Sequence, residues 1–312
     1  MEGLLEEILE IPERAKECYE RNKHAALPRR VPYLGMGSSY FAPLALYYAG
    51  ADIHPEIASE YYRYVGRETL PLGVLISQSG ESSETLWNLK KFEEVVAVTN
   101  DPKSTLGKAE NARMVVELWS GKEEFFSSTK TYINTLVALY AGLGIDPKKA
   151  IAFISNHFGE LKKESELFAA AVYEKIKDGS RKSFYVIGEG PNIATACEGA
   201  LVLSETTKLA WIGMAASQFD HGPKEAAENG IVVFLNAGGK GVKRMDLIKK
   251  ALSEKTNAYA VEFKEQEVSE TLSPIPFAVR LFFFLNSLAD HMKIEKTFRV
   301  GKKITTVPDS LK

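Results

Sequence analysis

The sequence predicts an α/β protein built from two copies of one doubly wound, parallel-sheet unit. The first observation is a series of short β-branched runs, Val31 to Leu34, Val74 to Ile76, Val95 to Val98 and Met114 to Leu118, each ending at Gly, Ser or Asn with helical patterns between them. Strands that alternate with helices in this way pair in parallel, because each crossover helix must pack back on the sheet. The second observation is that the alternation starts again. Phe184-Tyr185-Val186-Ile187-Gly188-Glu189-Gly190 answers Tyr33-Leu34-Gly35-Met36-Gly37, Ile231 to Leu235 answers Val74 to Ile76, and Ala258 to Val261 answers Val95 to Val98. Repetition of the element order marks an internal duplication. The third is length, since 312 residues suffice for two ordinary domains.

Taken in order, the elements divide the chain into five stretches. Leu4, Leu5, Ile8, Leu9 and Ile11 recur at helical spacing before Pro12, and a polar helical stretch runs on to about Leu27, so residues 1–30 read as a helical arm. The first α/β unit is placed at 31–146 and the second at 181–295. Between them, 147–180 is a long polar helical stretch with apolar Ile151, Ile154, Phe158, Leu161, Leu167, Phe168 and Val172, read as linking helices. Phe277 to Ala289 is the most apolar window, yet it contains Arg280 and Asn286 and is too short to span a bilayer, so it reads as a buried helix. Residues 296–312 form a basic tail with Arg299, Lys302 and Lys303.

Composition narrows the function. A hydrophobic fraction of 45% fits a chain that buries real cores, and a net charge of −2 gives no long-range pull toward phosphodiester backbones or anionic lipid. Neither nucleic acid nor a membrane is an expected partner. Cys18 and Cys197 are the two cysteines, far apart and without CxxC spacing, which argues against a disulfide framework and a thiolate metal site. The acidic, amphipathic start Met1-Glu2-Gly3-Leu4-Leu5-Glu6-Glu7 lacks the pattern of a secretion signal, so the cytoplasm is the expected compartment.

Three polar segments at strand ends carry the candidate chemistry. Gly35-Met36-Gly37 is followed by Tyr40 where a dinucleotide fingerprint needs a third glycine, so that reading is weak. Ser38 and Ser39 instead put two hydroxyls where a helix begins, a place suited to a sugar hydroxyl, with simple helix capping as the alternative. Ser77-Gln78-Ser79-Gly80-Glu81-Ser82-Ser83-Glu84-Thr85 is the most informative segment. Hydroxyls, a side-chain amide and backbone N–H groups there converge on a helix start and can hold a phosphate without a lysine, while Gly80 permits close approach. The alternative is a Ser-rich turn capped by Ser82 and Thr85. The third segment, Glu123 to Lys130, reads by composition only as a helix start.

In the second half, Glu198 and Glu205 fall on one face of a predicted helix from Ala196 to Lys208, where either carboxylate could equally be a solvated surface charge. His221 stands before Gly222-Pro223, held in a stiff turn with an imidazole suited to acid–base duty, although a lone His is more often structural.

Taken together, Gly35-Met36-Gly37-Ser38-Ser39-Tyr40, Ser77-Gln78-Ser79-Gly80-Glu81-Ser82-Ser83-Glu84-Thr85, Ser127-Ser128-Thr129-Lys130 and His221-Gly222-Pro223 resemble, in order and spacing, the double-SIS isomerase half of glucosamine-6-phosphate synthase, from about Val31 onward. The resemblance implies two SIS (sugar isomerase) domains, each with a five-stranded sheet. It also implies that Ser77, Gln78, Ser79 and Ser82 hold the phosphate, that Ser38, Ser39 and Ser128 lie near the sugar, and that Glu205 moves a proton between C1 and C2. His221 matches the ring-opening histidine, which this family takes from the neighbouring subunit, so a homodimer is implied. Lys303, in a tail that closes over the site, matches the lysine at the open-chain carbonyl.

Aldose–ketose conversion by a carboxylate and an imidazole calls for no metal and no redox cofactor. The synthase carries a glutaminase domain that starts with a cysteine after the initiator methionine, whereas position 2 here is Glu2 and no such domain precedes Val31. The expected direction is therefore the reverse one, glucosamine 6-phosphate to fructose 6-phosphate and ammonia, as in the SIS-type deaminases of archaea. A plain phosphosugar isomerase is the second reading and a non-catalytic sugar-phosphate sensor the third. Val202 replaces a lysine of the synthase, Met36 a cysteine, and Asp220 stands where a basic residue is usual.

Overall fold

In the computed structural model, which describes residues 2–295 and 298–301, the apolar β-branched runs become strands, and the central ones are buried on both faces, as parallel strands covered by helices must be. Helices α1 (Glu2–Leu9) and α2 (Ile11–Asn22) come first. Then follow β1 (Pro32–Gly35), α3 (Ser38–Tyr48), β2 (His54–Ile57), the single turn α4 (Ala58–Glu60), β3 (Leu70–Ile76), α5 (Ser83–Trp87), β4 (Phe92–Thr99), β5 (Ala112–Glu117) and α6 (Lys130–Gly142). The stretch read as a linker forms α7 (Lys148–Asn156) and α8 (Phe158–Ile176). The second run is β6 (Phe184–Gly188), α9 (Asn192–Thr207), β7 (Trp211–Ala215), α10 (Ala216–Asp220), β8 (Ile231–Asn236), α11 (Val242–Lys255), β9 (Tyr259–Lys264) and α12 (Pro274–His291).

The chain forms two compact units. One gathers Glu13–Glu123 and Lys130–Pro147 around a five-stranded sheet of order β2-β1-β3-β4-β5, with every pairing parallel. Its register sets Tyr33 beside Val74, and Val74 in turn beside Val96, so the central strands stack their apolar residues row by row. Helix α6 is buried along its whole length.

The other unit gathers Met1–Pro12, Glu124–Thr129 and Lys148–Thr297 around a four-stranded parallel sheet of order β7-β6-β8-β9. Strands β6 and β8 are buried at every position. Helix α12, the apolar window of the sequence, buries Phe277, Phe282, Phe283 and Phe284 and lies against α8 and α9.

The two sheets repeat each other: β2-β1-β3-β4 and β7-β6-β8-β9 follow one order. Glycines at matching positions do the same job in each. A Cβ on Gly35 would lie 2.3 Å from the Ser39 carbonyl oxygen, and one on Gly188 would lie 2.0 Å from that of Asn192. Only glycine lets the following helix turn back so closely over the strand end. Two residues on, Gly37 (φ 52°) and Gly190 (φ 53°) take the same left-handed conformation.

The expectation of five strands in both copies is corrected: among the described residues the second sheet has four. After β9 the chain has only the segment from Glu265 to Ser273 before α12, too short for the crossover that a further parallel strand needs. A buried ion network fixes this segment. Arg280 Nε donates to Glu164 Oε2 at 2.8 Å and its Nη1 to Glu265 Oε2 at 3.0 Å, while Glu265 Oε1 accepts from the backbone N–H groups of Glu267 (2.9 Å) and Val268 (3.1 Å). Among the described residues, no helix is long and apolar enough to cross a membrane, and no group of three or more His, Cys, Asp or Glu could hold a metal ion.

Candidate functional site

The serine-rich segment after β3 is a tight loop at the carboxyl end of a central strand. Its backbone is tied down on the side of β4: Asn100 N–H and Thr99 Oγ1 donate to the Gln78 carbonyl at 2.9 and 3.2 Å, and Leu106 N–H donates to that of Gly80 at 3.0 Å. Glu81 adds a clamp, accepting from Thr105 N–H (2.7 Å) and Thr105 Oγ1 (2.8 Å). Gly80 has φ +66°, and a Cβ there would sit 1.9 Å from Ser104 Oγ.

Within the loop, Ser77 is buried and its hydroxyl donates to Ser82 Oγ at 3.2 Å, while the exposed Ser79 accepts from Glu81 N–H at 3.2 Å. Ser82 is the residue before α5 but makes no side-chain capping bond, so its hydroxyl serves the loop and not the helix end. The helix that follows is only Ser83–Trp87. Too few peptide dipoles align in it to matter much, so any anion here is held by hydroxyls and amides. Ser38 and Ser39 open α3 at the end of the neighbouring strand β1, on the same edge of the sheet as this loop. Gly37, not a serine, occupies the N-cap position.

In the other unit, Glu205 lies near the end of α9, half-buried. Its Oε2 accepts a 2.9 Å hydrogen bond from Ser127 Oγ, and Ser127, itself fully buried, lies 3.3 Å from Thr206 Oγ1. Lys208 ends the helix in a left-handed conformation (φ 61°), where its Nζ donates to the backbone carbonyl of Glu205 and stands 4.9 Å from the centre of the Phe126 ring. Burial pushes the Glu205 carboxyl above its ordinary range, while the Ser127 hydrogen bond and the Lys208 charge pull the other way. A carboxyl whose pKa is raised by burial gives up its proton less readily and is a stronger base once ionised, as a proton carrier needs.

The remaining candidates are less gathered. Ser128 is half-buried beside Ser127, but it is Ser127, not singled out from the sequence, that bonds Glu205. His221 is exposed at the end of α10, its backbone N–H donating to the carbonyls of Ser217 and Gln218, and among the described residues its ring makes no hydrogen bond to Glu205. Asp220 beside it is paired with Lys224 at 2.7 Å, which holds its carboxyl below the usual range. Lys303 and most of the expected closing tail lie outside the described residues. Glu198, the other candidate carboxylate of α9, is buried in the helix interior.

The second copy has no equivalent hydroxyl loop. Strand β8 ends in Asn236-Ala237-Gly238-Gly239-Lys240-Gly241, and carboxylates crowd it: the Glu270 carboxyl atoms lie 2.1–2.3 Å from where a Gly239 Cβ would be, and Glu189 Cγ 2.4 Å from that of Gly241. Burial raises the Glu189 carboxyl, Arg244 lowers it and Glu270 raises it further.

No family model matches the chain. In sequence it is 29% identical to a glutamine–fructose-6-phosphate aminotransferase (isomerizing) of Thermococcus kodakarensis over 92% of the chain and 54% of the relative. It is 30% identical to that of Pyrococcus horikoshii, over 78% and 45%. The chain thus spans about half the length of the curated relatives it matches. In structure it superposes with TM-score 0.74 and 20% identity on the C-terminal domain of glucosamine-fructose-6-phosphate aminotransferase from Francisella tularensis, covering 94% of this chain and 97% of that one. It superposes with TM-score 0.73 and 18% identity on glucosamine-6-phosphate deaminase from Thermotoga maritima, covering 92% and 94%. The chain therefore resembles the isomerase part of the glutamine–fructose-6-phosphate aminotransferases in sequence and carries the fold of the SIS phosphosugar isomerases.

Proposed function

We propose that the protein is a glucosamine-6-phosphate deaminase, built from two SIS domains of which the second has lost its edge strand, and working in the cytoplasm. The observation that carries this reading is the half-buried Glu205 carboxylate, raised by burial and held by a buried serine. It is the kind of group that shuttles a proton between adjacent carbons. The phosphate goes to the first copy, on Ser77, Gln78, Ser79 and Ser82. The contrast between the copies supports that choice, since the loop after β8, Ala237-Gly238-Gly239-Lys240-Gly241, has none of the hydroxyls of the Ser77–Ser82 loop. Ser38, Ser39 and Ser128 take the sugar hydroxyls.

In this scheme His221, contributed by the second subunit of a homodimer, opens the pyranose ring, with Lys303 at the freed carbonyl. Glu205 removes the C2 proton to give the enolamine and returns a proton to C1. The resulting ketimine takes up water and releases ammonia, leaving fructose 6-phosphate. The names of the relatives support the substrate class, since an isomerizing aminotransferase of fructose 6-phosphate and a glucosamine-6-phosphate deaminase handle the same pair of sugars.

Incubating the pure protein with glucosamine 6-phosphate and measuring ammonia and fructose 6-phosphate together tests the reading. Equal amounts of both are expected. Conversion of a phosphosugar between aldose and ketose without ammonia would establish the plain isomerase instead.

A further inference from the structure

Ser127 lies outside the roles given above, yet it makes the side-chain contact that governs Glu205. Its Oγ is 2.9 Å from Glu205 Oε2 and 3.3 Å from Thr206 Oγ1, and the residue is fully buried, in a loop that packs with α9 in one compact unit. A hydroxyl has one proton. Spent on Oε2, it leaves Ser127 to accept from Thr206, a chain of two hydroxyls that ends on the carboxylate. Among the described residues nothing donates to Oε1, so one carboxylate oxygen is fixed by the protein and the other remains for a carbon acid. The loop is itself anchored, since the backbone N–H groups of Glu124 and Phe125 donate to Glu7 Oε1 at 2.6 and 3.0 Å. Phe126, between that anchor and Ser127, is the ring over which Lys208 stands.

We propose that Ser127 is the positioning residue of Glu205, holding Oε2 so that Oε1 presents to the substrate. The inference rests on the reading of Glu205 as the proton carrier. The direction follows from elementary linkage: a donor to the charged form favours it, so Ser127 lowers a carboxyl that burial raises. The charged surroundings leave few rivals for this role. Lys208, which caps α9, is the charge whose field reaches Glu205. Strands β6 (FYVIG) and β7 (WIGMA), packed against α9, carry no charge. On α12, Arg280 is engaged by Glu164 and Glu265, and Asp290 and His291 lie at the exposed end. Glu124, in the loop, is exposed.

The test is a carboxyl titration by NMR on the full chain carrying glutamate labelled with carbon-13 at the side-chain carboxyl, with the Glu205 signal identified by its disappearance in Glu205→Gln. In Ser127→Ala the titration midpoint should move up by about one pH unit, the effect of losing one charge-assisted hydrogen bond, and in Ser127→Thr it should return toward wild type. With glucosamine 6-phosphate, the acid limb of kcat should move up by the same amount in Ser127→Ala with KM little changed. An unmoved midpoint would overturn the inference, as would a Thr variant that behaves like Ala. The two readings fail separately. Turnover surviving in Glu205→Gln would remove Glu205 from catalysis, and the positioning role with it. A dead Glu205→Gln with an unmoved Ser127→Ala midpoint would remove only Ser127.

Discussion

Replacing Gly80 by alanine perturbs the proposed phosphate loop at its tightest point. The new methyl would arrive 1.9 Å from Ser104 Oγ and 2.4 Å from Ser104 Cβ, in a backbone held at φ +66°. Ser104 cannot swing aside freely, because its hydroxyl donates to the Asp101 carbonyl at 2.6 Å and accepts from Gly107 N–H at 3.2 Å. The left-handed conformation costs an alanine roughly 1–2 kcal/mol more than a glycine, and forcing a methyl into occupied space adds about 1–3 kcal/mol. A loss of ~2–5 kcal/mol in stability is expected by denaturant unfolding, together with a rise of tenfold or more in the dissociation constant for glucosamine 6-phosphate by calorimetry. Ser104→Gly in the same chain removes the main obstacle, leaving Thr99 Oγ1 at 3.0 Å, but not the torsional strain, so relative to Ser104→Gly alone the double variant should lose chiefly the conformational part. A Gly80→Ala protein with wild-type stability and affinity would refute both the geometry of the loop and its role.

Glu205→Gln should abolish ammonia release while raising stability at neutral pH. The folded protein holds this carboxyl above its ordinary value of 4.5, so ionising it opposes folding as pH rises from that value through the folded one, and the gain should vanish in acid. Equal melting temperatures of the two proteins at pH 4 and pH 8, or higher wild-type stability at pH 8, would contradict the linkage. Ser79→Ala should raise KM several-fold with kcat nearly kept, because the hydroxyl is assigned to the phosphate in ground and transition states alike; an unchanged KM excludes it. Arg280→Met strands the buried Glu265 and should cost ~3–5 kcal/mol in denaturant unfolding, whereas a loss under about 1 kcal/mol would mean that the network does not hold the segment replacing the fifth strand. Mixing inactive His221→Ala and Glu205→Gln subunits should restore part of the activity, and no recovery would place both residues' work within one chain.

Much of this architecture was readable from residue patterns alone. The fully buried central strands were legible as apolar runs, and the duplication was legible because Gly35 and Gly188 are forced by the same close approach of helix to strand. Two of the edge strands, β2 and β7, were not, whereas the edge strands β5 and β9 showed as Met114 to Leu118 and Ala258 to Val261. β2 is His-Pro-Glu-Ile, partly exposed, and β7 carries Gly213, so neither has the run of buried β-branched residues that marks a strand. The missing fifth strand of the second sheet follows from a short connection, which matters only once β9 and α12 have been placed. In the candidate site, the serine loop was visible through its composition, because so many hydroxyls rarely follow an apolar strand by accident. Ser127 and Lys208 were not visible. The contact of Ser127 with Glu205 depends on how a distant loop folds over α9, and the contact of Lys208 depends on a left-handed turn that lysine seldom adopts.

The most direct test is a crystal structure of the protein with glucosamine 6-phosphate bound. The phosphoryl oxygens should lie within hydrogen-bond distance of Ser79, Ser82 and the amides of the Ser77–Ser82 loop. A phosphoryl group found instead at Gly238–Gly241 in the second copy, or at any other surface, would contradict the account.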